Sequence, residues 1–257
     1  MTDTPKQPEI FKCPKCSYPQ NPHKGECVRC GVLFAKYYDS VRSRSKNGED
    51  GNAPSSAKYD DVRFSFNTLF FYTKPQIDIL TFSGRLIVYG VMILWGGYFM
   101  FSPLADNAAG NSILHLVNLP FHEAGHVFFR PFGAFITSLG GTLGQLLMPL
   151  ICFSVLLLST RDTFGASVTL WWFGQNFFDI APYVNDAVSL TMPLVGGNFG
   201  HSSPYGFHDW EYLLTESGLL QHAHFIAKMC MTAGSIVLLL AIFWGAMLLL
   251  KQYKNLT

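Results

Sequence analysis

Charged side chains are scarce in this sequence of 257 residues. They make up 14% of it, against about 25% in typical soluble domains, while hydrophobic residues make up 49%. The formal net charge is only +1, which removes the usual electrostatic basis for binding nucleic acid. Low charge together with long apolar runs indicates a membrane protein.

The few basic residues are distributed unevenly along the chain. Of the 18 Lys and Arg residues, 13 lie at or before Arg85 and 5 lie after it. The N-terminal residues lack the apolar core of a signal peptide. The pattern predicts a polar head that stays in the cytoplasm, joined to a multi-pass membrane body.

Four of the six cysteines lie in this head as two Cys-x-x-Cys pairs, Cys13 with Cys16 and Cys27 with Cys30. This spacing is typical of a structural zinc site with four cysteine ligands, and so short a segment needs the metal to fold. Two disulfides are the alternative, which a reducing cytoplasm disfavours. We therefore expect a zinc ribbon over residues 1–38, used to dock a protein partner or to cap the membrane body.

Two segments of different composition follow the head. Residues 39–62 are rich in Ser, Gly, Asn and charge, and are predicted to form a flexible linker. Residues 63–81 are aromatic, which indicates either an interfacial segment on the membrane surface or a short strand. Residues 82–257 are predicted to form the membrane-embedded domain.

This domain contains five apolar segments, several of them long enough to cross a bilayer of about 30 Å. They are residues 82–101, 112–129, 135–158, 164–183 and 229–250. Arg85 and the late residues Lys251 and Lys254 favour the cytoplasm for both ends of the domain, whereas residues 182–227 contain no Lys or Arg and are expected outside. Five complete crossings cannot satisfy both conditions.

One segment is therefore expected to enter the membrane without crossing it, either the helix at 112–130 or the glycine-rich start of 135–158. The predicted fold class is an α-helical multi-span membrane protein with four to five membrane segments and a small N-terminal zinc-ribbon domain that has four cysteine ligands.

The second apolar segment contains the motif His-Glu-x-x-His at His122, Glu123 and His126. Residues four apart on a helix share one face, so both imidazoles can bind one Zn²⁺. Glu123 directly follows the first ligand, where its carboxylate can act on a water as general base. Ionisable side chains at membrane depth are costly and usually functional.

A catalytic zinc needs a third protein ligand, and two later stretches offer one. Residues 174–186 contain Asp179 and Asp186, and residues 200–210 contain His208 and Asp209. Donor chemistry alone leaves all four as candidates.

A multi-span chain with His-Glu-x-x-His in a membrane helix and a later Asn…Pro…Asp segment resembles the site-2-protease (M50-type) intramembrane zinc metalloproteases. The matching positions of the later segment are Asn176, Pro182 and Asp186, and the resemblance covers roughly residues 112–190. It implies Asp186 as the third zinc ligand and Asn176 as the residue that holds the substrate backbone or the oxyanion. Asp179, His208 and Asp209 remain competitors for the ligand position.

The expected function is that of an intramembrane zinc metallopeptidase acting on a membrane protein, with one catalytic and one structural Zn²⁺. The alternative is a non-catalytic membrane adaptor in which His122 and His126 hold a structural metal. Glu123 distinguishes the peptidase from the adaptor, because a structural metal site does not need a carboxylate beside its ligand. Hydrolysis or transfer on a lipid-linked substrate, and metal transport by a relay of histidines, are further alternatives.

Overall fold

The computed structural model describes residues 11–20, 25–46, 69–74 and 76–256. The chain divides into two compact units, Met1–Arg63 and Phe64–Thr257. Residues 47–62 of the predicted linker and residues 63–68 of the predicted interfacial segment lie outside the described residues.

The first unit is built around its four cysteines. Strands β1 (Phe11–Lys12) and β2 (Pro19–Gln20) pair antiparallel, and helix α1 (Phe34–Lys46) follows the second cysteine pair. Phe34 packs with the buried Cys13 and Cys27 in a small core. Helix α1 continues past residue 38, where the linker was predicted to begin.

The second unit is mostly helical. Between residues 76 and 256 it contains α2 (Ile79–Phe101), α3 (Ile113–Phe129), α4 (Ala134–Ser154), α5 (Thr163–Asp186), α6 (Asp209–Glu216) and α7 (Ala223–Tyr253). Carboxylates cap the starts of α2 and α5, where Asp78 Oδ1 accepts the Thr81 N–H and Asp162 Oδ1 accepts the Gly165 N–H. Such caps satisfy N–H groups that have no partner inside the helix.

Three helices of the described chain are long and apolar enough to cross a membrane, namely Ile79–Phe101, Ala134–Ser159 and Leu220–Tyr253. The predicted segments at 112–129 and 164–183 are helical as well. Helix α3 has 17 residues, about 26 Å of helix, which is shorter than a usual crossing. Helix α5 has the length of a crossing, with 24 residues, but turns polar in its second half.

Helix α5 is the central element of this unit, because most of its residues are buried against α4 and α7. Trp171 and Phe178 of α5 pack with Phe99 of α2 and Leu238 of α7 in the largest apolar cluster of the described residues. A buried central helix does not have to be apolar all round, since its polar side chains can face neighbouring helices instead of lipid.

Helices α3 and α4 approach each other closely because glycines line their contact. A Cβ on Gly125 would overlap the backbone oxygen of Gly140, and one on Gly144 would overlap the backbone oxygen of Phe121. Small residues allow this approach between helices in membranes. The closeness brings α4 side chains within reach of the motif histidines on α3.

One end of the helix bundle gathers several chain segments and basic groups. Arg85 Nη2 lies 3.0 Å from Asp162 Oδ1, and Thr163 Oγ1 donates a hydrogen bond of 2.7 Å to the Tyr72 carbonyl. Lys251 Nζ donates to the Phe71 carbonyl. The starts of α2 and α5 and the end of α7 therefore share one end of the bundle, together with described residues of the predicted interfacial segment.

Candidate metal centre

The two motif histidines lie on one face of α3, as their spacing predicts. Their ring centroids are 4.8 Å apart, and His122 is only 9% exposed. Donor atoms of His122, Glu123 and His126 all lie within 4.8 Å of one another. These three side chains can therefore act on the same metal ion.

Helix α4 holds both imidazoles through their Nδ1 atoms. His122 Nδ1 lies 2.9 Å from Gln145 Oε1, and His126 Nδ1 lies 2.8 Å from the Thr137 carbonyl oxygen. Both partner atoms are acceptors, so each Nδ1 carries the proton and donates it. Each Nε2 is therefore free to bind a metal, and such outer hydrogen bonds are typical of metal-binding histidines.

Asp209, the first residue of α6, places a carboxylate oxygen between the two rings. Its Oδ2 lies 3.1 Å from His122 Nε2 and 3.4 Å from His126 Nε2. Its other oxygen, Oδ1, accepts a hydrogen bond of 2.9 Å from Ser138 Oγ of α4. Of the four candidates for the third ligand, Asp209 is the one whose contacts within the described residues include both histidines.

The arrangement fits a tetrahedral metal ion by two criteria. Donor atoms about 2.0–2.1 Å from such an ion are about 3.3 Å from each other, close to the two Asp209 distances. In neutral imidazoles, the two Nε2 lone pairs also converge on a carboxylate oxygen that is itself an acceptor. Such groups repel one another unless a cation lies among them, either a metal ion or a proton on one of the two Nε2 atoms.

Gly141 of α4 leaves the space that this site needs. A Cβ at this position would lie 2.5 Å from His122 Nε2 and 2.6 Å from His126 Nε2, the atoms available to a metal. The absence of a side chain at Gly141 therefore keeps the donor side of both rings open.

Glu123 is exposed to a cavity of about 1140 Å³ that also contains the two histidines and Asp209. Apolar side chains from the segment between α5 and α6 line another part of this cavity, among them Leu194, Val195 and Phe207. The cavity thus joins a polar metal centre to an apolar surface that can accept a hydrophobic chain.

Asp186, the ligand implied by the family resemblance, has other partners. Its Oδ1 accepts hydrogen bonds from Ser189 Oγ and from the N–H and hydroxyl of Thr191, and its Oδ2 accepts the Met192 N–H. His208 Nε2 lies 3.4 Å from Asp186 Oδ2, and burial lowers the pKa of His208. Neither Asp186 nor His208 is among the described residues that line the cavity.

Asp179 lines the cavity but is bound by two side chains of α3. Its Oδ1 lies 2.9 Å from His115 Nδ1, and its Oδ2 accepts a hydrogen bond of 3.0 Å from Asn118 Nδ2. The Asn118 oxygen accepts the indole N–H of Trp172 at 2.8 Å. This polar network joins α3 to α5 at one end of the cavity.

Asn176 is fully buried behind the metal centre. Its Nδ2 donates to the Trp172 carbonyl at 3.0 Å, and its Oδ1 accepts from Gln145 Nε2 at 3.2 Å. Gln145 in turn accepts from His122, so Asn176 lies behind a candidate metal ligand. Asn176 is not among the described residues that line the cavity.

Sequence reasoning missed four residues of this site: Thr137, Ser138 and Gln145 of α4 and Tyr183 of α5. The hydroxyl of Tyr183 accepts the Asp209 N–H at 3.2 Å. A signal was present in α4, since Ser138, Gly141 and Gln145 follow helical spacing in an otherwise apolar segment.

The four cysteines of the first unit form a second candidate metal site. Cys13 Sγ lies 3.7 Å from Cys30 Sγ, and Cys16 Sγ lies 3.5 Å from Cys27 Sγ, much longer than the roughly 2.05 Å of a disulfide. Burial alone would raise the pKa of the Cys27 thiol, but the N–H groups of Cys30 and Arg29 outweigh it and lower that pKa to about 7. The cluster can hold a metal through four sulfurs.

The chain matches no protein-family model, no curated protein and no solved structure. Its functional interpretation therefore depends on the geometry of its own residues.

Proposed function

We propose that this protein is an intramembrane zinc metallopeptidase that cleaves a peptide bond in or near a membrane-spanning segment of another protein. The observation that carries the proposal is the position of Asp209 Oδ2, 3.1 and 3.4 Å from the two Nε2 atoms, in a cavity that Glu123 also lines. Two imidazoles and one carboxylate are the ligand set of hydrolytic zinc sites that keep a fourth position open. The resemblance to site-2 proteases points to the same reaction.

In this proposal His122, His126 and Asp209 hold the zinc, and four cysteines hold a second, structural zinc in a ribbon. A zinc ion held there would polarise the scissile carbonyl and would lower the pKa of its bound water to about 7. Glu123 accepts the proton from the attacking water and delivers it to the leaving amine. Gln145 and Thr137 keep the imidazole Nδ1 atoms protonated, so that both Nε2 atoms stay available.

The cavity supports a polymeric substrate. Its volume of about 1140 Å³ exceeds the roughly 300–1,000 Å³ that is usual for small-molecule sites. Leu194, Val195 and Phe207 offer an apolar wall to a hydrophobic segment. A substrate helix would have to unwind here, because a peptide bond inside a regular helix is shielded by its own hydrogen bonds.

The position of the basic groups supports four crossings, by α2, α4, α5 and α7. Arg85, Arg161 and Lys251 belong to the chain segments that share one end of the bundle, which we assign to the cytoplasm together with the head. An even number of crossings then returns the C-terminus to that side. Helix α3 enters without crossing, as its 17 residues favour.

The decisive experiment compares membranes that contain the wild type with membranes that contain Glu123→Gln. Glutamine keeps the size of the side chain but cannot act as a base, so zinc content should stay the same and cleavage should stop. Quantitative proteomics should then find a membrane protein that accumulates uncut with Glu123→Gln. Glu216→Gln is the matched control, because Glu216 is not among the described residues that line the cavity.

Cleavage that persists with Glu123→Gln would refute the peptidase. Unchanged membrane proteomes, with zinc still bound in both proteins, would favour the non-catalytic adaptor.

A further inference from the structure

We infer that Asp186 and His208 are positioning residues that hold Asp209 against the two histidines and so set the metal affinity of the site. This inference rests on the proposed function, because it takes Asp209 as a zinc ligand. It gives a role to two buried ionisable side chains that have no direct access to a substrate in the cavity.

Asp186 fixes the beginning of the segment between α5 and α6. Its carboxylate accepts four hydrogen bonds of 2.7 to 3.0 Å from Ser189, Thr191 and Met192, which folds this segment back onto the end of α5. The side chain is 4% exposed, so the charge is satisfied by these donors and not by water.

His208 fixes the end of the same segment. Its side chain is fully buried, and its Nδ1 accepts the Glu211 N–H at 3.1 Å, which caps the start of α6. Its proton is therefore on Nε2, which lies 3.4 Å from Asp186 Oδ2. This distance is longer than an ordinary hydrogen bond, so the contact between His208 and Asp186 is mainly electrostatic.

Tyr183 completes the contacts around His208. Its ring centroid lies 4.2 Å from that of His208, and its hydroxyl accepts the Asp209 N–H at 3.2 Å. Backbone and side-chain contacts therefore restrict the chain on both sides of the peptide bond that joins His208 to Asp209. A ligand held in this way loses less freedom when it binds a metal, which raises affinity.

The test measures zinc affinity and the Co²⁺ absorption spectrum of the full-length protein in detergent. His208→Asn keeps a residue that caps helices well, but asparagine is too short to reach Asp186. We expect zinc affinity at the membrane-domain site to fall about 10- to 100-fold, the usual range when an outer partner of a metal ligand is lost. The d–d bands of bound Co²⁺ should also change, whereas the thiolate bands of the cysteine site should not.

His222→Asn is the matched control, because His222 is exposed and is not among the described residues that line the cavity. It should bind both metals as the wild type does. Asp186→Asn should lower zinc affinity at least as much as His208→Asn, because it also weakens the hydrogen bonds to residues 189–192. The double variant should lose little more than Asp186→Asn alone, because both changes remove the contact between Asp186 and His208.

Wild-type zinc affinity and a wild-type Co²⁺ spectrum in His208→Asn would overturn the inference while leaving the proposed function intact. A wild-type protein that binds no metal outside the cysteines would instead overturn the proposed function, and this inference with it. If His208→Asn does not fold, Asp186→Asn tests the same positioning, since it removes the charge that faces His208 Nε2. Unchanged affinity and spectrum in Asp186→Asn would then overturn the inference.

Discussion

At the scale of single residues, a chain of amide groups sets the orientation of His122. The Trp172 carbonyl accepts from Asn176 Nδ2, and Asn176 Oδ1 accepts from Gln145 Nε2. This leaves Gln145 Oε1 to accept from His122 Nδ1. Because this series of hydrogen bonds starts at a backbone carbonyl, neither side-chain amide in it can flip without losing a buried hydrogen bond.

We therefore predict that Asn176→Ala lowers the zinc affinity of the membrane-domain site by about 10-fold or more, because Gln145 is then free to turn its amide toward His122. Isothermal titration with zinc measures this effect. The control is Asn198→Ala, at an exposed position of the segment between α5 and α6. If Asn176 holds the substrate, as the family resemblance implies, affinity for zinc should stay the same and only cleavage should fall.

At the scale of the helices, the contact between α3 and α4 decides whether the histidines have room for a metal. Gly125, Gly140 and Gly144 bring the two backbones together, and Gly141 leaves the donor atoms uncovered. The packing of the two helices and the space for a metal thus depend on the same glycine-rich stretch.

Gly141→Ala should abolish metal binding at this site without unfolding α4. Alanine favours a helix by about 1 kcal/mol over glycine, but its Cβ would lie 2.5 Å from His122 Nε2. Metal analysis and circular dichroism measure the two effects separately. Gly97→Ala in α2, where a Cβ has nothing within 4 Å, should keep both metal content and helicity.

Local spacing explains which parts of this architecture were predictable from the sequence. His122 and His126 share a face because they are four residues apart on one helix, and the Cys-x-x-Cys pairs are similarly local. Asp209 could not be singled out among four candidates, because its position depends on how residues 187–208 fold back over the helices. The hydrogen-bond partners of Gln145 depend on how closely α3 and α4 pack, which is likewise set by tertiary structure.

At the scale of the whole molecule, the two candidate metal sites belong to different compact units. If each site holds the proposed zinc ion, replacing Cys13 and Cys27 by Ser should therefore remove one zinc of two and leave the zinc of the second unit in place. Elemental analysis of the purified full-length protein measures the ratio. Cys152→Ser is the control, since Cys152 lies in α4 outside the cysteine cluster, and it should retain two zinc ions. Loss of both ions from the double variant would contradict the independence of the sites.

The four crossings proposed above would place residue 202 outside the cell and residue 254 in the cytoplasm. A membrane-impermeant maleimide should label Ser202→Cys in intact cells and Lys254→Cys only after permeabilisation. Both positions are exposed in the structure, so access depends on the membrane alone. Labelling of both from outside would require an odd number of crossings.

The late position of Asp209 in the chain has a consequence for biosynthesis. The ribosome makes both histidines more than eighty residues before the carboxylate that joins them. In the proposed enzyme, a nascent chain still being inserted thus carries an incomplete set of ligands. Peptidase activity would then arise only after α6 has packed against the two histidines. Until that point, neighbouring polypeptides in the insertion machinery would be protected from cleavage.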